Sequence, residues 1–164
     1  MGRADGRQSR RRCLDAGEDA NLWLALATLL DAGDHETVLR LVGSSLSDYW
    51  TVSGGQFTEA RSWFGRALQQ NANSTPAARA WGLYDLTIVA AHQGDRKAGR
   101  QADSEGLALV GMQGDPLLAA LMPFALSLVE EFEGRSPVTA SLVLGAVAAA
   151  REAHHPGTLG WILL

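Results

Sequence analysis

Three glycine-centred turns, repeated at nearly constant spacing, constrain the fold of this 164-residue chain more than any other feature. Gly55, Gly94 and Gly134 each separate two helical patterns, and they lie 39 and 40 residues apart. Glycine suits the end of a helix, because it takes a positive φ without steric cost. A helical unit that recurs at this period must stack on its neighbours to bury its apolar face. The sequence therefore predicts an all-α chain of stacked helix pairs.

Apolar residues between these turns recur at helical offsets of three and four, and capping signals mark where helices begin. In three places a residue suited to capping is followed by proline, whose missing N–H would be unpaired there anyway: Thr75-Pro76, Asp115-Pro116 and Ser136-Pro137. Pro123 lies inside a later helical stretch and should kink it. These signals predict helices at about 18–32, 35–53, 56–70, 76–93, 96–111, 116–133, 137–153 and from 157 onward.

Charge divides the chain into two parts. Residues 1–12 hold five arginines against one aspartate, a charge of +4, so the rest of the chain carries −8. We expect residues 1–14 to form a disordered Arg-rich tail and residues 15–164 to form the helical domain. Clustered Lys and Arg are needed to bind phosphate, so the acidic body predicts no direct contact with nucleic acid.

The single cysteine, Cys13, allows no disulfide within one chain, which suits a reducing cytoplasm. No secretory signal is expected, because the arginine run leads into CLDAGEDAN rather than into an apolar stretch. LLAALMPFALSLV is too short to span a bilayer and is bounded by Asp115 and Glu130. The sequence predicts a cytoplasmic protein without a membrane partner.

Groups that carry chemistry are sparse. His154, His155 and Cys13 have no metal-ligand spacing, and we interpret the histidines as a solvated helix end. An acidic cluster has no neighbouring nucleophile and is interpreted as a solvated helix end: Glu130, Glu131 and Glu133. No nucleophile elbow and no phosphate-binding loop occur in the sequence. We therefore predict no catalytic residue, no cofactor and no metal.

Two segments resemble the halves of a tetratricopeptide repeat. AWGLYDLTIVAAHQGD is similar to its first helix and turn, and GQFTEARSWFGRAL to its second helix. The resemblance implies an α-α superhelix, or solenoid, of about seven to eight antiparallel helices, in which Leu83 and Leu86 pack near the small Ala60. The next repeat departs from the pattern, so we expect the fifth helix to be the least stable: Arg96, Gly99, Asp103 and Gly106.

A narrower resemblance covers residues 18–154. EDANLWLALATLLDAGDHETVLRLVGSSLSDYWTVSGGQFTEARSWFGRAL and SLVLGAVAAAREA look like the helical region of large bacterial ATP-binding LuxR-type and antibiotic-regulator-type transcriptional regulators, which are STAND ATPases. In such regulators a P-loop ATPase precedes this region and a helix-turn-helix DNA reader lies at one terminus. The resemblance implies that these neighbouring modules are the partners of the helical region.

The resemblance also implies an inner, concave groove that takes a protein, peptide or ligand. Seven residues are candidates for this groove: Tyr49, Trp81, Tyr84, Ile88, Leu121, Phe124 and Leu128. Neighbouring helices covering the same residues are the open alternative. The apolar tail TLGWILL lacks a polar outer face, which predicts a domain truncated at both ends, with self-association through those ends.

The function expected from these features is binding without catalysis. We interpret the chain as an interaction or sensor scaffold from a transcriptional regulator, whose occupied concave face gates the neighbouring modules. A free-standing tetratricopeptide adaptor and a remnant of a truncated regulator gene are the alternatives. A helical enzyme fragment would instead require a tight pocket with a perturbed carboxylate or histidine.

Overall fold

The computed structural model describes residues 16–44, 57–69, 74–131 and 136–152. Within these ranges the chain is all-helical and has no strand, which confirms the predicted all-α class. Seven helices are formed: α1 (Ala16–Asp31), α2 (His35–Ser44), α3 (Phe57–Gln69), α4 (Pro76–His92), α5 (Arg96–Gln113), α6 (Pro116–Glu131) and α7 (Ser136–Glu152). The predicted tail 1–14, the extension of the second helix to residue 53 and the helix from 157 onward lie outside the described residues.

Helix ends follow the capping chemistry of the sequence. The Thr75 hydroxyl accepts a hydrogen bond from the backbone N–H of Ala78 at 3.3 Å, directly before α4. Asp115 Oδ1 accepts from two backbone N–H groups at the start of α6, at 3.0 and 3.1 Å. Three predicted stop glycines have positive φ, of 76°, 70° and 71°: Gly33, Gly94 and Gly114. Gly55 and Gly134 lie outside the described residues, and α7 begins one residue earlier than predicted.

Two glycines of α5 reveal how the helices are stacked. A Cβ added at either glycine would come within 3.7 Å of one side chain of α4 and of one side chain of α6. The two groups are Ala90, Gly99 and Val129, and Leu83, Gly106 and Met122. Residue numbers rise together in α4 and α6 and fall in α5. Helices α4 and α6 therefore run parallel to each other, and α5 runs antiparallel to both.

The apolar core is spread along the order of the chain. The helix pairs in substantial contact are adjacent or next but one in sequence. One cluster is built mainly from α1 to α4 around Phe64, which is 1% exposed. Leu83, Leu86, Phe57 and Ala60 belong to or pack against this cluster, as the sequence predicts. A second cluster joins α4, α5 and α6, and a third joins α6 and α7.

Arginine side chains tie successive helices together. Three pairs connect different helices or turns: Arg61 with Asp95 at 2.5 Å, Arg79 with Glu105 at 2.5 Å and Arg100 with Glu130 at 2.8 Å. The interpretation of Glu130 as part of a solvated helix end is wrong. Its side chain is 7% exposed, because α6 packs against α5 and Arg100 Nε donates to its Oε1. Glu131 is exposed, as expected.

Candidate binding surface

Helix α4 carries an apolar stripe that contains three of the predicted groove residues. Trp81, Tyr84 and Ile88 follow one another at offsets of three and four, so they share one face of the helix. The rings of Trp81 and Tyr84 meet edge to face, with centroids 5.8 Å apart and planes at 83°. This geometry suits the quadrupoles of two aromatic rings and fixes the orientation of the indole.

Helix α6 carries the matching stripe 40 residues later. Leu121, Phe124 and Leu128 have the same offsets as the stripe of α4. Because α4 and α6 are in contact and parallel, the two stripes lie on neighbouring helices. Leu121 and Leu128 join the three residues of the α4 stripe in or against one cluster. Phe124 instead packs against the cluster of α6 and α7, and Tyr49 lies outside the described residues.

Burial divides the candidate residues into two groups. Tyr84, Ile88 and Leu121 are each 7% exposed, so neighbouring helices cover most of their surface. Trp81, Phe124 and Leu128 are only partly buried. A ligand on this face would therefore meet the partly buried group first. The binding role of all these residues stays a prediction.

The α4 stripe also holds a buried acid that the sequence analysis did not single out. Asp85 follows Trp81 by four residues and is 5% exposed. Burial raises the pKa of its carboxyl to about 8, so the group is largely protonated at neutral pH. Burial, and then the Asp85 carboxylate, raise the pKa of the Tyr84 phenol. The available signal was an aspartate within the apolar run from Leu83 to Ala91.

A second buried acid lies on α5. Asp103 is 3% exposed, and its Oδ1 has no hydrogen-bond partner among the described residues. Burial raises the pKa of its carboxyl to about 7. Its departure from the repeat pattern was visible in the sequence, but its burial as a carboxyl was not predicted. Because burial alone drives this shift, ionisation of Asp103 opposes folding.

Two searches within the described ranges bear on the class of protein. These residues contain no group of three or more His, Cys, Asp or Glu able to hold a metal ion. None of the described helices is both long and apolar enough to cross a membrane. Cys13, His154 and His155 lie outside the described residues, so their predicted lack of metal binding stays a prediction.

The chain matches no protein-family model, and no curated protein or solved structure is significantly similar to it. Its class is therefore defined by its own architecture. It is an all-α protein in which helices adjacent or next but one in sequence pack together.

Proposed function

We propose that the chain is a non-catalytic interaction or sensor scaffold, built as a tetratricopeptide-like superhelix and belonging to a bacterial ATP-binding LuxR-type or antibiotic-regulator-type transcriptional regulator. The observation that carries this proposal is the register between α4 and α6. Leu83 of α4 and Met122 of α6 flank the same glycine of α5, and Ala90 and Val129 flank the other. Both pairs are 39 residues apart, which equals the spacing between the first two glycine turns.

This register supports a superhelix because it relates one helix pair to the next by a shift of one repeat. A repeat array buries its core by stacking each unit on its neighbours, and small per-repeat rotations give a concave surface. The parallel first helices, α4 and α6, would line that surface. Their apolar stripes then form one continuous aromatic and aliphatic face.

The occupant proposed for this face is an amphipathic helix from a neighbouring module of the same regulator. Apolar grooves between helices take such a helix through anchors three, four and seven residues apart. Trp81 is the natural centre of this contact, because its ring is partly accessible and oriented by Tyr84. Binding would favour one orientation of the ATPase and DNA-binding modules over another, which is how a scaffold without chemistry gates its neighbours.

Site-specific photo-crosslinking in the cells that make the protein tests this proposal. A benzophenone side chain at Trp81 or at Leu128 should capture a P-loop ATPase module or a helix-turn-helix module. The matched control is the same side chain at Met112, which is 81% exposed on α5 and lies outside both stripes. Thermal melts should first establish that each variant is folded.

The outcome separates the proposal from its alternative. Capture of a P-loop or helix-turn-helix module from the two stripe positions, and not from Met112, supports the regulator. Capture of a single unrelated protein from the stripe positions would instead favour a free-standing adaptor. Identical products from all three positions, or none from the stripes, would contradict the groove. The full reading frame gives an independent check, since a P-loop upstream favours the regulator.

A further inference from the structure

A second candidate site lies far along the chain from the α4 and α6 stripes, where the end of α1, the start of α2 and the end of α3 come together. A cavity of about 280 Å³ opens between these three helix ends. Its lining consists of Leu30, Asp31, His35, Arg66 and Gln69. The volume lies just below the range of about 300–1,000 Å³ of pockets for drug-sized ligands, so the cavity suits a smaller molecule.

His35 gives this cavity an unexplained polar group. It is the first residue of α2 and is 2% exposed. Neither Nδ1 nor Nε2 has a hydrogen-bond partner within the described part of the chain. Buried polar atoms in proteins are nearly always paired, and a neutral imidazole offers one donor and one acceptor. An imidazole in a cavity wall with both positions unmet points to a ligand.

The other polar residues of the cavity carry opposite charges. Asp31, Arg66 and Gln69 are all exposed, so they form a polar mouth above Leu30 and His35. The guanidinium of Arg66 lies over the Trp63 ring, 4.8 Å from its centroid, and this contact holds the cation in place.

The start of α2 already has an anionic partner of its own. Asp34 Oδ1 accepts a hydrogen bond from the backbone N–H of Thr37 at 3.1 Å. A second simple anion at this helix start would meet the Asp34 and Asp31 carboxylates. A ligand that carries both a positive and a negative group avoids that repulsion and matches the mouth.

We propose that this cavity binds a small zwitterion of the α-amino-acid class. The ligand carboxylate pairs with Arg66, where a planar guanidinium makes two parallel hydrogen bonds, and the ligand ammonium pairs with Asp31. Rotation of the His35 ring about its Cβ–Cγ bond turns one nitrogen towards the ligand, a torsion with a broad, two-fold preference. The site does not rest on the proposed groove, which lies on other helices.

NMR on the full chain with ¹³C-labelled histidine tests the site. The chain has four histidines, and loss of one resonance in His35→Gln identifies His35. An equimolar mixture of the twenty common L-amino acids should shift that resonance saturably. Acetate and methylammonium, added separately at the same concentration, should shift it at least about tenfold less at half-saturation, because each meets only one of the two charges.

Two variants and one matched control sharpen the test. Arg66→Met and Asp31→Asn should each weaken the apparent affinity for the mixture about tenfold, since each removes one ion pair from the bound state. Both residues are exposed, so the variants should keep the wild-type melting curve. Arg40→Met removes an exposed arginine of α2 that pairs with Glu36, and it should leave binding unchanged.

Three results would overturn the site. The first is a His35 resonance that does not respond to the amino-acid mixture. The second is an equal response in wild type, Arg66→Met and Asp31→Asn. The third is acetate alone matching the mixture, which would replace the zwitterion site by a simple anion site.

Discussion

Helices α3 and α5 occupy equivalent places in successive units, yet they bury different chemistry. Position by position, 39 residues apart, the pairs are Ala60 and Gly99, Phe64 and Asp103, and Ala67 and Gly106. All six residues are buried. In α3 the central position holds an aromatic ring between two alanines. In α5 it holds a carboxyl between two glycines, so the same geometry is filled in two ways.

The difference shows where the packing volume comes from. In α3 the helix supplies its own large side chain, Phe64. In α5 the glycines let neighbouring side chains come close, and Met122 Cε would lie only 2.6 Å from a Cβ at Gly106. Close contact therefore compensates for missing side-chain volume, but it leaves the buried carboxyl of Asp103 without compensation.

Placing the α5 chemistry into α3 should have the largest effect. Phe64→Asp removes a ring that is 1% exposed and buries a carboxylate in an apolar cluster. We expect a loss of at least about 4 kcal/mol at pH 8, because truncating a buried Phe to Ala alone costs about 3–5 kcal/mol. Urea unfolding followed by circular dichroism measures the loss. It should be smaller at pH 5, where a buried carboxyl keeps its proton more readily.

The control for this variant is Ser62→Asp, which adds the same charge to an exposed position of the same helix. Exposed substitutions usually change stability by less than about 0.5 kcal/mol. If Ser62→Asp and Phe64→Asp destabilised the chain equally, the assignment of Phe64 to the core would be wrong.

Relieving α5 of its buried charge should have the next largest effect, with the opposite sign. The pKa of Asp103 rises from 3.8 to about 7 on folding. Between these two values the unfolded chain loses the proton and the folded chain keeps it, so stability falls as pH rises. Asp103→Asn should therefore be more stable than wild type at pH 8, by on the order of 4 kcal/mol at most. The gain should vanish near pH 3.

Urea unfolding at pH 3, 5, 6, 7 and 8 gives the difference between variant and wild type as a curve. Asp85 contributes a similar slope to both proteins, because burial raises the pKa of its carboxyl to about 8, and the difference removes that contribution. Glu131→Gln neutralises an exposed carboxylate of α6 and should give a flat, near-zero difference. A flat difference for Asp103→Asn would contradict its burial as a carboxyl.

Local signals made the helices predictable from the sequence. Thr75 and Asp115 act within three residues of their partners, and Gly94 and Gly114 act through their own φ. Such signals depend on the chain immediately around them, so the sequence carries them in full. The close approach of α6 to Gly99 depends instead on residues far along the chain, and the glycine was interpreted only as a weakness.

The environment of charged residues was the least predictable part. Glu130 and Glu131 are identical neighbours, but one is buried beside Arg100 and the other is exposed. A helical turn of 100° per residue decides between them, and only the position of α5 fixes which side is covered. The same holds for His35, whose cavity is formed by the ends of three different helices.

The glycines of α5 should give the smallest and most discriminating effects. Gly111 has nothing within 4 Å of an added Cβ, so Gly111→Ala should stabilise by about 0.5–1 kcal/mol through helix propensity alone. At Gly106 the nearest atom is the end of a flexible methionine, which can move aside, so the gain should shrink towards zero. At Gly99 the nearest atom is Val129 Cγ2, at 2.9 Å. A β-branched side chain cannot yield in this way, so Gly99→Ala should destabilise by about 1 kcal/mol. Urea midpoints of the three variants, measured together at pH 6, rank them. A Gly99→Ala variant as stable as Gly111→Ala would mean that α5 and α6 are not held in close contact, and the comparison between the two helices would fail at its central step.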